Sequence, residues 1–90
     1  MTTQEIKKTS KEVMQKLERL CSHVSTITNG NSVLYLNRSI HYEACTYYEV
    51  IAISECIGGE AVLCKHLFLS SYTSEDDVTA FYKEITNKIK

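Results

Sequence analysis

The chain has 90 residues, which is enough for one domain with a single modest core and too few for a second domain. Hydrophobic residues make up 43% and charged residues 23%, the proportions of an ordinary globular protein, so disordered, collagen-like and coiled-coil chains are excluded. The formal net charge is −1, whereas a typical nucleic-acid-binding protein is strongly basic.

The first residues contain no apolar stretch of the kind found in secretory signals, and the longest mainly apolar run, residues 61–69, is too short to span a bilayer. We therefore expect a cytoplasmic protein with no membrane segment. Because that compartment is reducing, the four cysteines are expected to be free thiols that pack as small apolar residues. They are Cys21, Cys45, Cys56 and Cys64.

An amphipathic helix is predicted at the start of the chain, where apolar residues recur at steps of three and four. These residues are Ile6, Val13, Leu17, Leu20 and Val24. Two capping-box patterns compete for the first turn, one from Thr2 to Glu5 and one from Thr9 to Glu12. In the second case residues 1–9 form a frayed extension. The sequence Asn29-Gly30-Asn31 ends the helical region.

The middle of the chain predicts β-strands at residues 33–36, 47–56 and 61–69. Residues 38–45 fit either a loop or a continuation of the sheet. The pair Gly58-Gly59 between the last two strands predicts a tight hairpin, since both central residues of a type I′ turn need a positive φ.

A second helix is predicted after Ser74, which is placed as the N-cap, with Glu75, Asp76 and Asp77 on the first turn. Its apolar stripe is Val78, Phe81, Tyr82, Ile85 and Ile89. The element order is therefore α-β-β-β-α. We expect one α+β domain over residues 1–90, in which a three- or four-stranded antiparallel sheet is packed by two helices.

The predicted hairpin has two apolar faces. If the register that pairs Ile57 with Glu60 continues without a shift along the hairpin, one face holds Tyr48, Val50, Ala52 and Ser54 with Leu63, Lys65, Leu67 and Leu69. The second face holds Tyr47, Glu49, Ile51, Ile53, Glu55, Val62, Cys64, His66 and Phe68. One helix on each side would cover both faces within the monomer, whereas two helices on one side would leave the second face for a protein partner. We favour the partner, although a one-residue shift at the turn would exchange the faces.

Motifs for catalysis or metal binding are weak in this sequence. Two Cys-x-His pairs, Cys21-x-His23 and Cys64-x-His66, and the neighbours His41 and Cys45 lack the ligand spacing of a structural zinc site. The carboxylates are scattered, and no phosphate-binding loop or nucleophile motif is present. We therefore expect a non-enzymatic protein with no metal and no cofactor.

The order α-β-β-β-α also resembles that of the double-stranded RNA-binding domain. Such domains place lysines at the start of the last helix, where this chain has Glu75-Asp76-Asp77, which would repel phosphate. Nucleic-acid binding is therefore the alternative reading. It would use the basic residues of the first helix, which are Lys7, Lys8, Lys11, Lys16 and Arg19.

The favoured interpretation is a non-catalytic protein-interaction module, expected to form a homodimer, to bind and block an unidentified protein partner, or both. Small accessory proteins that phages make to block host defences, anti-CRISPR proteins among them, are similar in size, composition and element order. The similarity includes no shared motif, so it assigns no role to any residue.

Overall fold

The structure is a computed structural model that describes residues 1–89 and the side chains of residues 1–88. Its elements are α1 (Thr3–Ile27), β1 (Ser32–Glu43), β2 (Thr46–Ile57), β3 (Glu60–Leu69) and α2 (Glu75–Ile89). The strands form one antiparallel sheet in the order β1-β2-β3. This is the predicted α+β fold with three strands. The predicted position of Ile89 in the apolar stripe lies outside the described side chains.

Both helices begin at a side-chain cap. The Thr2 hydroxyl accepts a hydrogen bond from the Glu5 backbone N–H at 3.2 Å, and Glu5 Oε1 accepts one from the Thr2 N–H at 3.1 Å. The same reciprocal pattern joins Ser74 and Asp77 at the start of α2, at 3.3 and 2.9 Å. These bonds satisfy N–H groups that have no partner within the helix. Of the two predicted starts for α1, the structure therefore has the one at Thr2.

The stretch at residues 38–43, which fits either a loop or a strand by sequence, continues β1 as a strand and pairs with β2. A two-residue turn, Ala44-Cys45, joins the two strands with φ values of 50° and 62°. The predicted turn at Gly58-Gly59 is confirmed, with φ values of 60° and 87°. Glycine adopts such angles without strain, whereas alanine and cysteine rarely do.

A β-bulge in β3 changes the register of the second hairpin. Cys56 pairs with Ala61 as predicted, but Glu55 pairs with Leu63, so Val62 is the extra residue. Beyond the bulge each β3 residue lies one position away from the predicted pairing. The predicted register was therefore wrong for the greater part of the hairpin, and so was the division of its two strands between the faces.

The bulge brings the leucines of β3 onto the same face as Ile51 and Ile53 of β2, and both helices cover this face. On this helix-covered face Ile51 and Ile53 are fully buried, and Leu67 and Leu69 of β3 lie beside them. Helix α1 packs on β1 and β2, and α2 packs on β3. The core lies in this single layer between the helices and the sheet.

Candidate functional site: the open face of the sheet

The opposite side of the sheet, the open face, faces away from both helices. Alternation along the strands assigns it the following residues: Val33, Tyr35, Asn37, Ser39, His41 and Glu43 of β1, Thr46, Tyr48, Val50, Ala52, Ser54 and Cys56 of β2, and Cys64, His66 and Phe68 of β3. Tyr35 is 59% exposed and Phe68 is 61% exposed. An antiparallel sheet with one face in solvent normally presents polar residues there, and this face mixes polar residues with valines and aromatic rings.

The open face is almost uncharged. Within residues 32–69 its only acidic residue is Glu43, at the far end of β1, and its strands place no lysine or arginine on it. The two basic residues of these strands, Arg38 and Lys65, pair with Glu49 and Glu84 on the helix-covered side. A surface without charges can be buried without a large desolvation cost.

Aromatic packing orders part of the open face. His41 and Tyr48 are cross-strand neighbours, and their rings stack with centroids 4.8 Å apart and an interplanar angle of 7°. Both residues are half-buried although no helix covers them. The pair therefore forms a flat, preorganised patch near one end of the face.

The predicted docking residues separate into two groups. The four from β3, Val62, Cys64, His66 and Phe68, are exposed, with Val62 at the bulge and the other three on the open face. The five from β2 are Tyr47, Glu49, Ile51, Ile53 and Glu55, and they lie beneath the helices. This half of the predicted surface is corrected, because the bulge brings the even-numbered residues of β2 beside Cys64, His66 and Phe68.

Sequence reasoning therefore missed the β2 residues of the open face, above all Val50 and Tyr48. One signal could have found them. An unbulged register sets Ile51 and Ile53 on the opposite face from Leu67, and only a one-residue slip brings these large aliphatic side chains together.

A buried carboxylate cluster lies on the helix-covered face. Glu49 is fully buried and accepts hydrogen bonds from Ser10 Oγ at 2.8 Å, from the Tyr47 hydroxyl at 2.6 Å and from Arg38 Nε. Burial alone would raise the pKa of Glu49, but the hydrogen bonds from Arg38, Tyr47 and Ser10 outweigh it, so this pKa lies below its ordinary value. The cluster connects α1, β1 and β2.

A second buried carboxylate, Glu55, accepts a hydrogen bond from Ser32 Oγ at 3.0 Å. It lies six positions along strand β2 from Glu49, a distance of about 20 Å. Two carboxylates so far apart do not act on one reacting group.

The basic residues of α1 do not form one patch. The Nζ atom of Lys7 lies 5.4 Å from the ring centroid of Tyr47, and that of Lys16 lies 5.0 Å from the ring centroid of Tyr82. At about 100° per residue these two lysines are on opposite flanks of the helix. The other three, Lys8, Lys11 and Arg19, share the solvent side with Glu12 and Glu18. All five lie on the far side of the sheet from the open face.

All four cysteines are free thiols, of which Cys45 and Cys64 are exposed. Over the described residues no cluster of three or more His, Cys, Asp or Glu side chains is placed to hold a metal ion. Neither described helix is both long enough and apolar enough to cross a membrane. Comparison with protein-family models, with curated proteins and with solved structures finds no significant match to this chain.

Proposed function

We propose that this protein is a non-catalytic interaction module that pairs with a second copy of itself through the open face. The observation that supports this proposal is the contrast between the two sides of the sheet. Both helices pack on one side, and the other side carries exposed Tyr35 and Phe68 and half-buried Val33 and Val50. Large exposed aromatic side chains on an otherwise uncharged sheet face support an interaction site there.

The size of the open face suits a second copy. Three strands of up to 12 residues form a strip about 40 Å long and about 14 Å wide. Face-to-face packing of two such sheets would bury about 500 Å² on each copy, or about 1,000 Å² in all, the lower limit for a specific interface. Because a twofold contact brings a surface against itself, the near absence of charge also removes like-charge repulsion.

The sheet edges are less suited to self-association than the face. Arg38 lies in the middle of edge strand β1 and Lys65 in the middle of edge strand β3, and both point toward the helix side. Inward-pointing charges of this kind protect edge strands against pairing with another sheet. The open face is therefore the better candidate.

The test compares two exposed apolar residues on opposite sides of the sheet. Phe68 is 61% exposed on the open face, and Ile40 is 60% exposed on the helix side of β1. In light scattering, wild type and Ile40→Glu should show twice the chain mass of 10.3 kDa, and Phe68→Glu should show the single mass. Circular dichroism should show intact helices in all three. A wild type that stays monomeric at high concentration, or a Phe68→Glu variant that unfolds, would contradict the proposal.

A different protein could occupy the same face, and blocking of such a partner is the activity of the phage-made inhibitors to which this chain is similar in size and element order. In that case the free chain would be monomeric, and Tyr35 and Phe68 would become protected only in the complex. Light scattering of the purified chain separates this alternative from the homodimer.

RNA binding is the weaker alternative. Its candidate residues, Lys7, Lys8, Lys11, Lys16 and Arg19, are interspersed with glutamates and lie on the far side of the sheet from the exposed aromatic rings. A double-stranded RNA-binding module contacts phosphates, and the acidic first turn of α2, Glu75, Asp76 and Asp77, would repel them. A gel-shift panel at low salt that shows no retarded RNA would eliminate this alternative.

A further inference from the structure

A groove separates the two helices on the outer side of the molecule. Thr9 of α1 shares a cleft with Glu75 at the start of α2, and Leu20 shares one with Ile85, so the helices run side by side in the same direction. Between their C-terminal halves lies a groove of about 350 Å³. Its apolar lining comes from Leu17, Leu20 and Ile85. This interhelical groove is separate from the open face, because the sheet lies between them.

The charges along the groove are all of one sign. Its charged lining residues are Lys16 and Arg19, and among the described residues no carboxylate lines it. The cleft at the other end of the helix pair differs, since Glu5, Glu12 and Glu75 line that end together with Lys8 and Met1. Positive potential is therefore concentrated beside the apolar lining of the C-terminal half, which favours an acidic occupant.

Tyr82 supplies an independent observation. It lines the groove, and its hydroxyl oxygen is shielded from solvent without a hydrogen-bond partner among the described residues. Burial, with a smaller contribution from Glu12, raises the pKa of Tyr82 to about 12, so the hydroxyl stays protonated and available as a donor. Buried polar groups nearly always have a partner, and an acceptor entering the groove would provide one.

We propose that the interhelical groove binds an acidic amphipathic helix of a partner protein. An apolar side chain of that helix inserts between Leu20 and Ile85, and its neighbouring carboxylates lie against Lys16 and Arg19. This mode uses an apolar anchor for affinity and a charged rim for selectivity. The inference goes beyond the proposed function, because the groove is a second surface, and the homodimer proposed above would present two such grooves outward.

The experiment uses the wild-type chain as host, because the groove lies on the other side of the sheet from the open face and stays accessible whether or not the chain dimerises. The probe is a synthetic helical peptide with leucine at steps of three and four and glutamate between them, and calorimetry measures its affinity. Arg19→Glu should weaken binding about tenfold or more, while Lys11→Glu, the same charge change on α1 outside the groove, should alter it less than about twofold.

Two further arms complete the test. A peptide with lysine in place of glutamate should fail to bind, and Tyr82→Phe should weaken binding of the acidic peptide while leaving the host folded. Equal affinity for both peptides, equal effects of Arg19→Glu and Lys11→Glu, or stronger binding to phosphatidylserine vesicles than to the acidic peptide would overturn the inference. None of these outcomes alters the mass measured for the wild-type chain, so failure here is distinct from failure of the dimer.

Discussion

Replacement of Glu49 by alanine should be among the most damaging single changes to this fold. The carboxylate is fully buried and accepts hydrogen bonds from Ser10, Arg38 and Tyr47. Removing one partner of a buried ion pair costs about 3–5 kcal/mol. The Arg38 side chain is 32% exposed, so water can hydrogen-bond to it in the variant, which lowers that cost. Ser10 is fully buried, so its hydroxyl would lose its partner without access to water. We expect a loss of about 3 kcal/mol from a total of about 5–15 kcal/mol.

Urea unfolding followed by circular dichroism measures this loss, provided that the slope of free energy against urea stays unchanged. Tyr47→Phe removes a single donor and should cost about 1.5 kcal/mol. Because Arg38 and Glu49 share one contact, the double alanine variant should cost less than the sum of the single variants, by about 1–3 kcal/mol. A loss below about 1 kcal/mol for Glu49→Ala would show that the buried cluster does not stabilise the fold, and strict additivity would show that Arg38 and Glu49 are not coupled.

Three further predictions concern titration, a buried hydroxyl and a turn. The pKa of Glu49 is lower in the folded state than its ordinary value of 4.5, so the stability it contributes is present above pH 4.5 and is lost as the pH falls through the folded pKa. Glu49→Gln should flatten that part of a stability–pH profile, and an unchanged slope would refute the assignment. Tyr82→Phe removes the unpartnered hydroxyl and should raise the free energy of unfolding by about 1 kcal/mol, whereas a loss would mean that the hydroxyl is satisfied. Cys45→Gly removes the strain of a φ of 62° and should raise the free energy of unfolding by about 1 kcal/mol. Thermal unfolding measures this gain, and its absence would mean that the turn rearranges.

Local signals account for the elements that the sequence predicts well. The apolar steps of α1, the Ser74 cap of α2 and the Gly58-Gly59 turn all lie within a few residues of the structure that they specify. Each depends on neighbouring backbone geometry alone, so it can be recognised without knowing the rest of the fold. The end of β1 gives no such signal, because Ala44-Cys45 lacks the residues that usually mark a hairpin turn.

The sequence by itself determined the order of helices and strands and the presence of more apolar side chains than one sheet face can hold. Only the tertiary structure decided which face holds which residues. The bulge at Val62 brings Ile51, Ile53 and Leu67 together beneath the helices, because burying these side chains in one layer outweighs an unbroken ladder of hydrogen bonds. The same shift leaves Phe68 on the open face, and the separate pairing of β1 with β2 places Glu49 beside Arg38. These contacts join residues far apart in the chain, and no local pattern encodes them.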